Sequence, residues 1–495
     1  MMLWPFLLLA LLQAVTIQAG VTLPPKPADL STPVQQRVSF NGPTSVSVAW
    51  NTYEQQTKPC VKYGTNAKSL TSKVCGTRSV TYSTSRTWAN LVIVSGLKPA
   101  TVYYYEPVST NSTVNQFMTA RTAGDKTPFS MITLADLGLY GEDGYKTKKR
   151  ELIPTVDPVL NHTTIGSLAN RVNSYEFIIH PGDFAYADDW IEDITNVADG
   201  AIAYSAIIER FYNQYDPVMA NKPYMVSPGN HEANCQEIPY TTATCPAGQN
   251  NFSDFQNRFD SMMPTAFPTA SKNSTAQSLR NYAKTLAVPP FWYSFDYGMA
   301  HVVMINTETD FSNAPDQVGG SAGLAGGPFA PSGQQVKFLH ADLASVDRSI
   351  TPWVIVAGHR PWYTVGDQSA TGGSVCTPCQ TAFEGLFYQY GVDLGVFGHV
   401  HNIQRFGSVY NNTVDPTGKA PYYIVIGGPG NIEGHDPTTP TAPGNEFAYN
   451  STYGYGQLTF HNSSSLGIQF IDSASGKVLD SATINKPHKV QFVNQ

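Results

Sequence analysis

Five short segments of this sequence end an apolar, strand-like run on a residue able to hold a metal ion. They are Asp136-Leu137-Gly138, Gly182-Asp183-Phe184-Ala185-Tyr186, Gly229-Asn230-His231-Glu232, Val356-Ala357-Gly358-His359 and Gly398-His399-Val400-His401. Asp136 and Asp183 offer carboxylates, Tyr186 a phenolate, Asn230 an amide oxygen, and His359, His399 and His401 imidazoles. A single Asp or His at a strand end is usually a cap or a core residue. Seven candidate donors at five such ends, each beside a glycine or a turn, form a set. With one donor shared, seven fill part of two octahedra and leave positions for water and an anion. The phenol suits a hard, strongly Lewis-acidic ion such as Fe(III). Two ions in one site can bind phosphate oxygens, acidify water and offset the charge on a leaving oxygen, so the chemistry expected is hydrolysis of a phosphate ester.

Positioning such donors requires strand ends that converge. From Pro128 onward the pattern alternates strand and helix. Phe129–Ala135, Phe177–His180, Tyr224–Ser227, Trp353–Ala357 and Val392–Phe397 read as short buried strands. Between them, Ile207, Phe211 and Tyr215 repeat at helical spacing, and Ser332-Gly-Gln-Gln335 has the form of a capping box ahead of Val336, Leu339 and Leu343. This alternation predicts an α/β layered domain over residues 128–480, with ligands at the carboxyl ends of its strands and a terminal hairpin turning at Ser475-Gly-Lys477. Residues 30–122 read differently. Arg37–Phe40 and Ser45–Trp50 alternate with period two, and Leu97–Tyr105 has the form of the corner before a late strand, so an all-β fibronectin type III-like sandwich with Trp50 in its core is expected.

Taken together the five segments resemble the purple acid phosphatases, within the calcineurin-like metallophosphoesterase superfamily, and the resemblance spans both the amino-terminal sandwich and the catalytic region. It implies a fold in which a layered metallophosphoesterase β-sandwich is flanked by helices. It also implies that Asp136, Asp183, Tyr186 and His401 hold Fe(III), while a bridging Asp183 joins Asn230, His359 and His399 on a divalent ion, Zn, Fe or Mn. The trivalent ion then receives most of the anionic oxygens, as its hardness favours. Many relatives in the superfamily begin the site with Asp-x-His; here that position is Gly138, and Tyr186 supplies the missing donor.

The activity so implied is hydrolysis of phosphate monoesters at acidic pH, by direct attack of a metal-bound hydroxide and without a phosphoenzyme. His231 takes a catalytic, substrate-facing role. The paired histidines that plant members carry after the Val-x-x-His motif are missing, since Arg360-Pro-Trp-Tyr363 leads into a Gly/Ser-rich loop. His435, in Gly427-Gly-Pro-Gly-Asn-Ile-Glu-Gly-His435, is therefore a further candidate for substrate binding. The same site tuned to phosphodiesters or nucleotide pyrophosphates is an alternative. A catalytically inactive binding or adhesion protein is an outside one, against which the intact donor set argues.

The compartment is legible too. Residues 3–16 are almost wholly apolar and lead into Ile17-Gln18-Ala19, the form of a secretory signal spanning residues 1–19. The run is short for a membrane span and lacks a basic stop-transfer flank, and the tail from Lys486 has no hydrophobic terminus for a lipid anchor. Sequons begin at Asn111, Asn161, Asn251, Asn273, Asn411, Asn450 and Asn462, so N-linked glycans are expected. Six cysteines fall into the close pairs Cys60/Cys75, Cys235/Cys245 and Cys376/Cys379, for which local disulfides are the default in an oxidising compartment. Cys376-Thr-Pro-Cys379 also has the spacing of a redox motif, but no thioredoxin-like βαβ pattern surrounds it. The net charge of -7 is diffuse over 495 residues, which recommends neither a nucleic acid nor a membrane surface and leaves small-molecule phosphate esters as the expected partners.

Overall fold

The computed structural model describes residues 23–139, 163–192, 199–235, 245–320, 326–366 and 375–488. The expected signal at residues 1–19 and the Asn161 sequon lie outside these residues, as does most of the Gly/Ser-rich loop after Arg360.

The amino-terminal strands form two four-stranded sheets. One runs in the order Val34–Gly42, Ser45–Thr52, Trp88–Val94, Arg78–Val80, and the other Ser72–Cys75, Cys60–Gly64, Val102–Pro107, Asn115–Met118. Their alternating apolar residues meet in a core of Val38, Val48, Trp50, Val92, Tyr105 and Phe117. Lys98 N donates to Tyr103 Oη at 3.1 Å, which pins the corner that Leu97–Tyr105 predicted. The Cys60–Cys75 disulfide joins directly paired residues of neighbouring strands.

The remaining strands build an α/β sandwich. A six-stranded sheet has the order Tyr224–Ser227, Ile178–Pro181, Phe129–Thr133, Gly454–Asn462, Ser465–Asp472, Val478–Asn485. A seven-stranded sheet has the order Tyr293–Tyr297, Ala300–Met304, Trp353–Ala357, Leu394–Phe397, Tyr422–Ile426, Ile403–Phe406, Asn445–Tyr449. The strands that carry the five motifs are parallel to their neighbours of the same set and buried throughout or nearly so. Covering both faces of a sheet demands such continuous apolar runs, which is why they are legible in sequence. Between the sheets pack Phe129, Phe177, Phe295, Tyr297 and Phe460, with Phe129 and Phe460 stacked at 4.5 Å. The helix Gly200–Met219 buries Ile207, Phe211 and Tyr215 on one face, as their spacing predicted.

The two parts share a core and a polar seam. Phe40, Ala49 and Leu91 of the amino-terminal sandwich belong to the main apolar cluster. Arg37 Nη2 donates to Arg258 O at 2.9 Å, and Glu209 on the helix Gly200–Met219 accepts from Tyr53 Oη at 2.8 Å and pairs with Arg86. The capping box expected at Ser332 does not form. Gly333, at φ 74°, caps the helix Gln334–Ala344 instead. Gln335 turns inward, its Oε1 accepting from Asn306 N at 2.7 Å and its Nε2 donating to Thr309 O at 3.2 Å. A buried loop that needs those hydrogen bonds outcompetes a local cap. Disulfides join Cys235 to Cys245 and Cys376 to Cys379, completing the expected pairing. Among the described residues no helix is long and apolar enough to cross a membrane.

Candidate metal centre

All five motifs leave the carboxyl ends of parallel strands at one edge of the sandwich. Asp136 follows Phe129–Thr133, Asp183 follows Ile178–Pro181 and Asn230 follows Tyr224–Ser227, all in the six-stranded sheet. His359 follows Trp353–Ala357, and His399 and His401 follow Leu394–Phe397, in the seven-stranded sheet. One sheet thus contributes the oxygen donors and the other the imidazoles. The turns are abrupt. Asp136, Asp183, Tyr186 and His399 all have left-handed backbone, at φ 59°, 55°, 52° and 67°. Side chains rarely adopt that conformation, and its concentration here marks a place where side-chain direction outweighs backbone comfort. Crowding explains two of the glycines. A Cβ on Gly229 would stand 2.2 Å from Asp183 Oδ1, and one on Gly398 would stand 2.4 Å from Asp136 Oδ2.

The donors fall into two groups. Tyr186 Oη lies 2.9 Å from Asp136 Oδ1, 2.7 Å from His401 Nε2 and 3.4 Å from Asp183 Oδ2. His359 Nε2 lies 3.0 Å from Asn230 Oδ1 and 2.9 Å from that same Asp183 Oδ2. Asp183, His359 and His399 offer ligand atoms that all lie within 4.8 Å of one another. All seven predicted donors are therefore brought together, around one shared carboxylate oxygen. The other oxygen, Asp183 Oδ1, accepts from His231 N at 2.9 Å. His359 Nδ1 lies 3.0 Å from Pro181 O, so it donates there and leaves Nε2 to face the cluster. The chemistry of the set fits two ions. One group is mostly anionic oxygen, suited to a hard trivalent ion, and the other is richer in neutral nitrogen and amide donors. Burial pushes the Asp136 carboxyl and the Tyr186 phenol well above their usual ranges. Burial acts the same way on Asp183, but the His359 and His231 imidazoles reverse it and hold that carboxyl well below its usual range.

His231 is buried beside this cluster, its ring centroid 4.1 Å from that of Tyr186. Its Nδ1 lies 2.9 Å from both carboxylate oxygens of Asp188. Its Nε2 lies 3.9 Å from Asp183 Oδ2 and 3.9 Å from Glu433 Oε1. Burial alone would lower the imidazole, but the carboxylates of Asp188 and Asp183 push it well above its ordinary value. Asp188 and Glu433 carry no repeat or spacing that marks them in sequence; for Asp188 the one signal is its place two residues after Tyr186 in Tyr-Ala-Asp-Asp. Glu232 closes the motif Gly229-Asn230-His231-Glu232 without being one of the seven donors. Its carboxylate accepts from Asp183 N, Phe184 N and Gly229 N at 2.9, 2.9 and 2.8 Å, tying two donor loops together. His435 has its Nδ1 2.6 Å from Asn450 O and its ring edge-on against Tyr453.

Two stacked sheets with donors converging at one edge define a calcineurin-like phosphoesterase, and residues 157–402 match the family profile of that description. Residues 33–119 match the profile "Purple acid Phosphatase, N-terminal domain", and residues 420–481 match "Iron/zinc purple acid phosphatase-like protein C". The chain is 55% identical to acid phosphatase A of Cryphonectria parasitica, over 98% of each chain. It is 30% identical to an acid phosphatase of Aspergillus ficuum, over 87% of this chain and 83% of that one. The purple acid phosphatase PPD1 of yellow lupin superposes with a TM-score of 0.65 at 20% identity, covering 93% of this chain and 75% of that one, which is a likeness of fold. The chain belongs to the purple acid phosphatase family. It is a metallophosphoesterase, and membership implies a binuclear metal centre.

Proposed function

We propose that this protein is a secreted acid phosphatase that hydrolyses phosphate monoesters at an Fe(III)–divalent metal centre. The observation that carries this is the shared oxygen, Asp183 Oδ2, between an oxygen-rich group with Tyr186 and a nitrogen-rich group with His359. Asp136, Asp183, Tyr186 and His401 would hold Fe(III). Asp183, Asn230, His359 and His399 would hold Zn, Fe or Mn. When bound, the two ions supply acidified water, anchorage for phosphate oxygens and charge compensation for the leaving oxygen.

The chain's own residues supply the proton. Asp188 occupies His231 Nδ1, so the proton available to a substrate sits on Nε2, the edge turned toward the Asp183 carboxylate. An imidazole whose Nδ1 is held by a carboxylate can donate from Nε2 to a leaving oxygen. Asp188 keeps the ring in the orientation that aims this proton. Secretion is supported by the apolar run at residues 3–16 and by the three disulfides. Asn111, Asn251, Asn273, Asn411 and Asn462 are exposed, which supports glycan attachment there. Metal analysis and a visible spectrum of the purified protein, with parallel rates on aryl phosphate monoesters and diesters, test the proposal. Two ions including iron, a visible band and preference for the monoester are expected. Preference for the diester would move the protein to the phosphodiesterase alternative.

A further inference from the structure

Behind His359 and His399 lies a layer of buried polar side chains with no part in the proposed reaction. It begins on the loop after the strand Ala300–Met304, where Thr307 and Glu308 are wholly buried. Thr307 Oγ1 accepts from His359 N at 3.1 Å and from Arg360 N at 2.8 Å, and donates to Glu308 Oε1 at 2.8 Å. The other carboxylate oxygen, Glu308 Oε2, accepts from Arg360 Nε at 2.7 Å. Asp316 Oδ1 lies 3.4 Å from Arg360 Nη2, and Arg360 Nη1 lies 3.0 Å from His399 Nε2. A fixed guanidinium thus caps one edge of the His399 ring, and the hydroxyl beneath it anchors the backbone of His359. The layer touches the ring of His399 and the backbone of His359, two residues of the nitrogen-rich group. Tyr186 and His401 have other neighbours: the Tyr186 ring packs on His231, and His401 Nδ1 lies 3.6 Å from Glu433 Oε2.

We infer that Glu308 is a positioning residue for the divalent half of the centre alone, acting through Arg360 on His399 and through Thr307 on His359. The inference rests on the two-metal reading proposed above. Outer partners that orient ligands typically change metal affinity about 10–100-fold when removed. Glu308 has the geometry for this, since one carboxylate holds both the Thr307 hydroxyl that anchors the His359 backbone and the Arg360 guanidinium that meets the His399 ring. Replacing it by the isosteric amide leaves Arg360 with a weaker anchor and Asp316 as its remaining carboxylate partner.

Glu308→Gln and Arg360→Lys, each in the full-length enzyme, test the inference. Iron content, the visible band and retention of Zn²⁺ across a dilution series of the free ion are measured for both and for the wild type. Zn²⁺ retention about 10–100-fold weaker, with iron content and the visible band unchanged, is the expected result. A merely structural contact would not produce that asymmetry. Unchanged Zn²⁺ retention in both variants overturns the inference, and so does parallel loss of both metals. If Glu308→Gln fails to fold, Arg360→Lys decides, because it keeps a cation between the two buried carboxylates while losing the planar fork. A wild type that takes up only one ion overturns the two-metal reading and the inference with it, and is told apart because it appears before any substitution.

Discussion

The backbone N–H of His231 donates to Asp183 Oδ1 at 2.9 Å, which leaves Asp183 Oδ2 as the atom facing both donor groups. A carboxylate free to rotate could offer one oxygen to each side. This one is committed, and both groups converge on a single oxygen.

The commitment predicts an asymmetry. Asp183→Asn removes the charge on the shared oxygen and should deplete both ions, whereas Asn230→Ala removes one neutral donor of the nitrogen-rich group and should deplete mainly the divalent ion. Metal stoichiometry of the two purified variants checks this. Loss of the same single ion from both would refute the shared oxygen.

Tyr186→Phe should abolish the visible band while leaving the ring packed on His231. A phenolate bound to Fe(III) gives a charge-transfer band; a phenyl ring gives none. The variant should also bind iron more weakly, since an anionic oxygen 2.9 Å from Asp136 and 2.7 Å from His401 is gone. Iron content together with the spectrum separates lost iron from lost ligation. A colourless, fully iron-loaded wild type would remove Tyr186 from the centre.

The strand-end donors were legible because two independent constraints fall on the same residues. Parallel strands buried on both faces need continuous apolar runs, and the turn at each carboxyl end needs glycine where neighbouring loops nearly touch, as at Gly229 and Gly398. The contacts that Asp188, Glu433, Arg360 and Glu308 make beside the donor cluster were not legible. They join segments far apart in sequence, such as His231 with Glu433 or Arg360 with Glu308. The capping box at Ser332 misled for a related reason: Gln335 is drawn into the buried Asn306–Thr309 loop, a demand no local pattern announces. His435 is a candidate because the plant-type histidine pair is missing, and the contacts its ring makes with Tyr453 and the Asn450 carbonyl have no signal in the sequence.

The seam between the amino-terminal sandwich and the catalytic region should weaken as pH rises. Burial pushes the Asp216 carboxyl up to about 7 from an ordinary 3.8, where it accepts from Gln36 N at 3.2 Å. The folded protein therefore holds this proton more tightly than the unfolded chain does. Stability from it is fully present below pH 3.8 and is lost as pH rises through about 7. Part of the residue reaches solvent at the rim, so the loss is discounted to about 1–2 kcal/mol. Asp216→Asn keeps an acceptor for Gln36 N and cannot ionise. Its melting temperature should exceed that of the wild type at pH 8, with the difference shrinking at pH 4. An equal difference at both pH values would exclude Asp216 as the cause.

The proton on His231 Nε2 gives the sharpest test of mechanism. A leaving alkoxide needs protonation, and general-acid help typically contributes about 10²–10⁴-fold, whereas a nitrophenolate leaves with little help. His231→Ala should therefore slow alkyl phosphates far more than nitrophenyl phosphate, with metal content nearly unchanged. Asp188→Asn should show the same leaving-group bias more weakly, because the ring remains but loses the carboxylate 2.9 Å from its Nδ1. Rates for a series of leaving groups in both variants, with metals assayed alongside, make the measurement. Equal slowing of every ester in His231→Ala would mean that Nε2 binds the phosphate group rather than donating a proton, and Asp188 would then matter only for placing the ring.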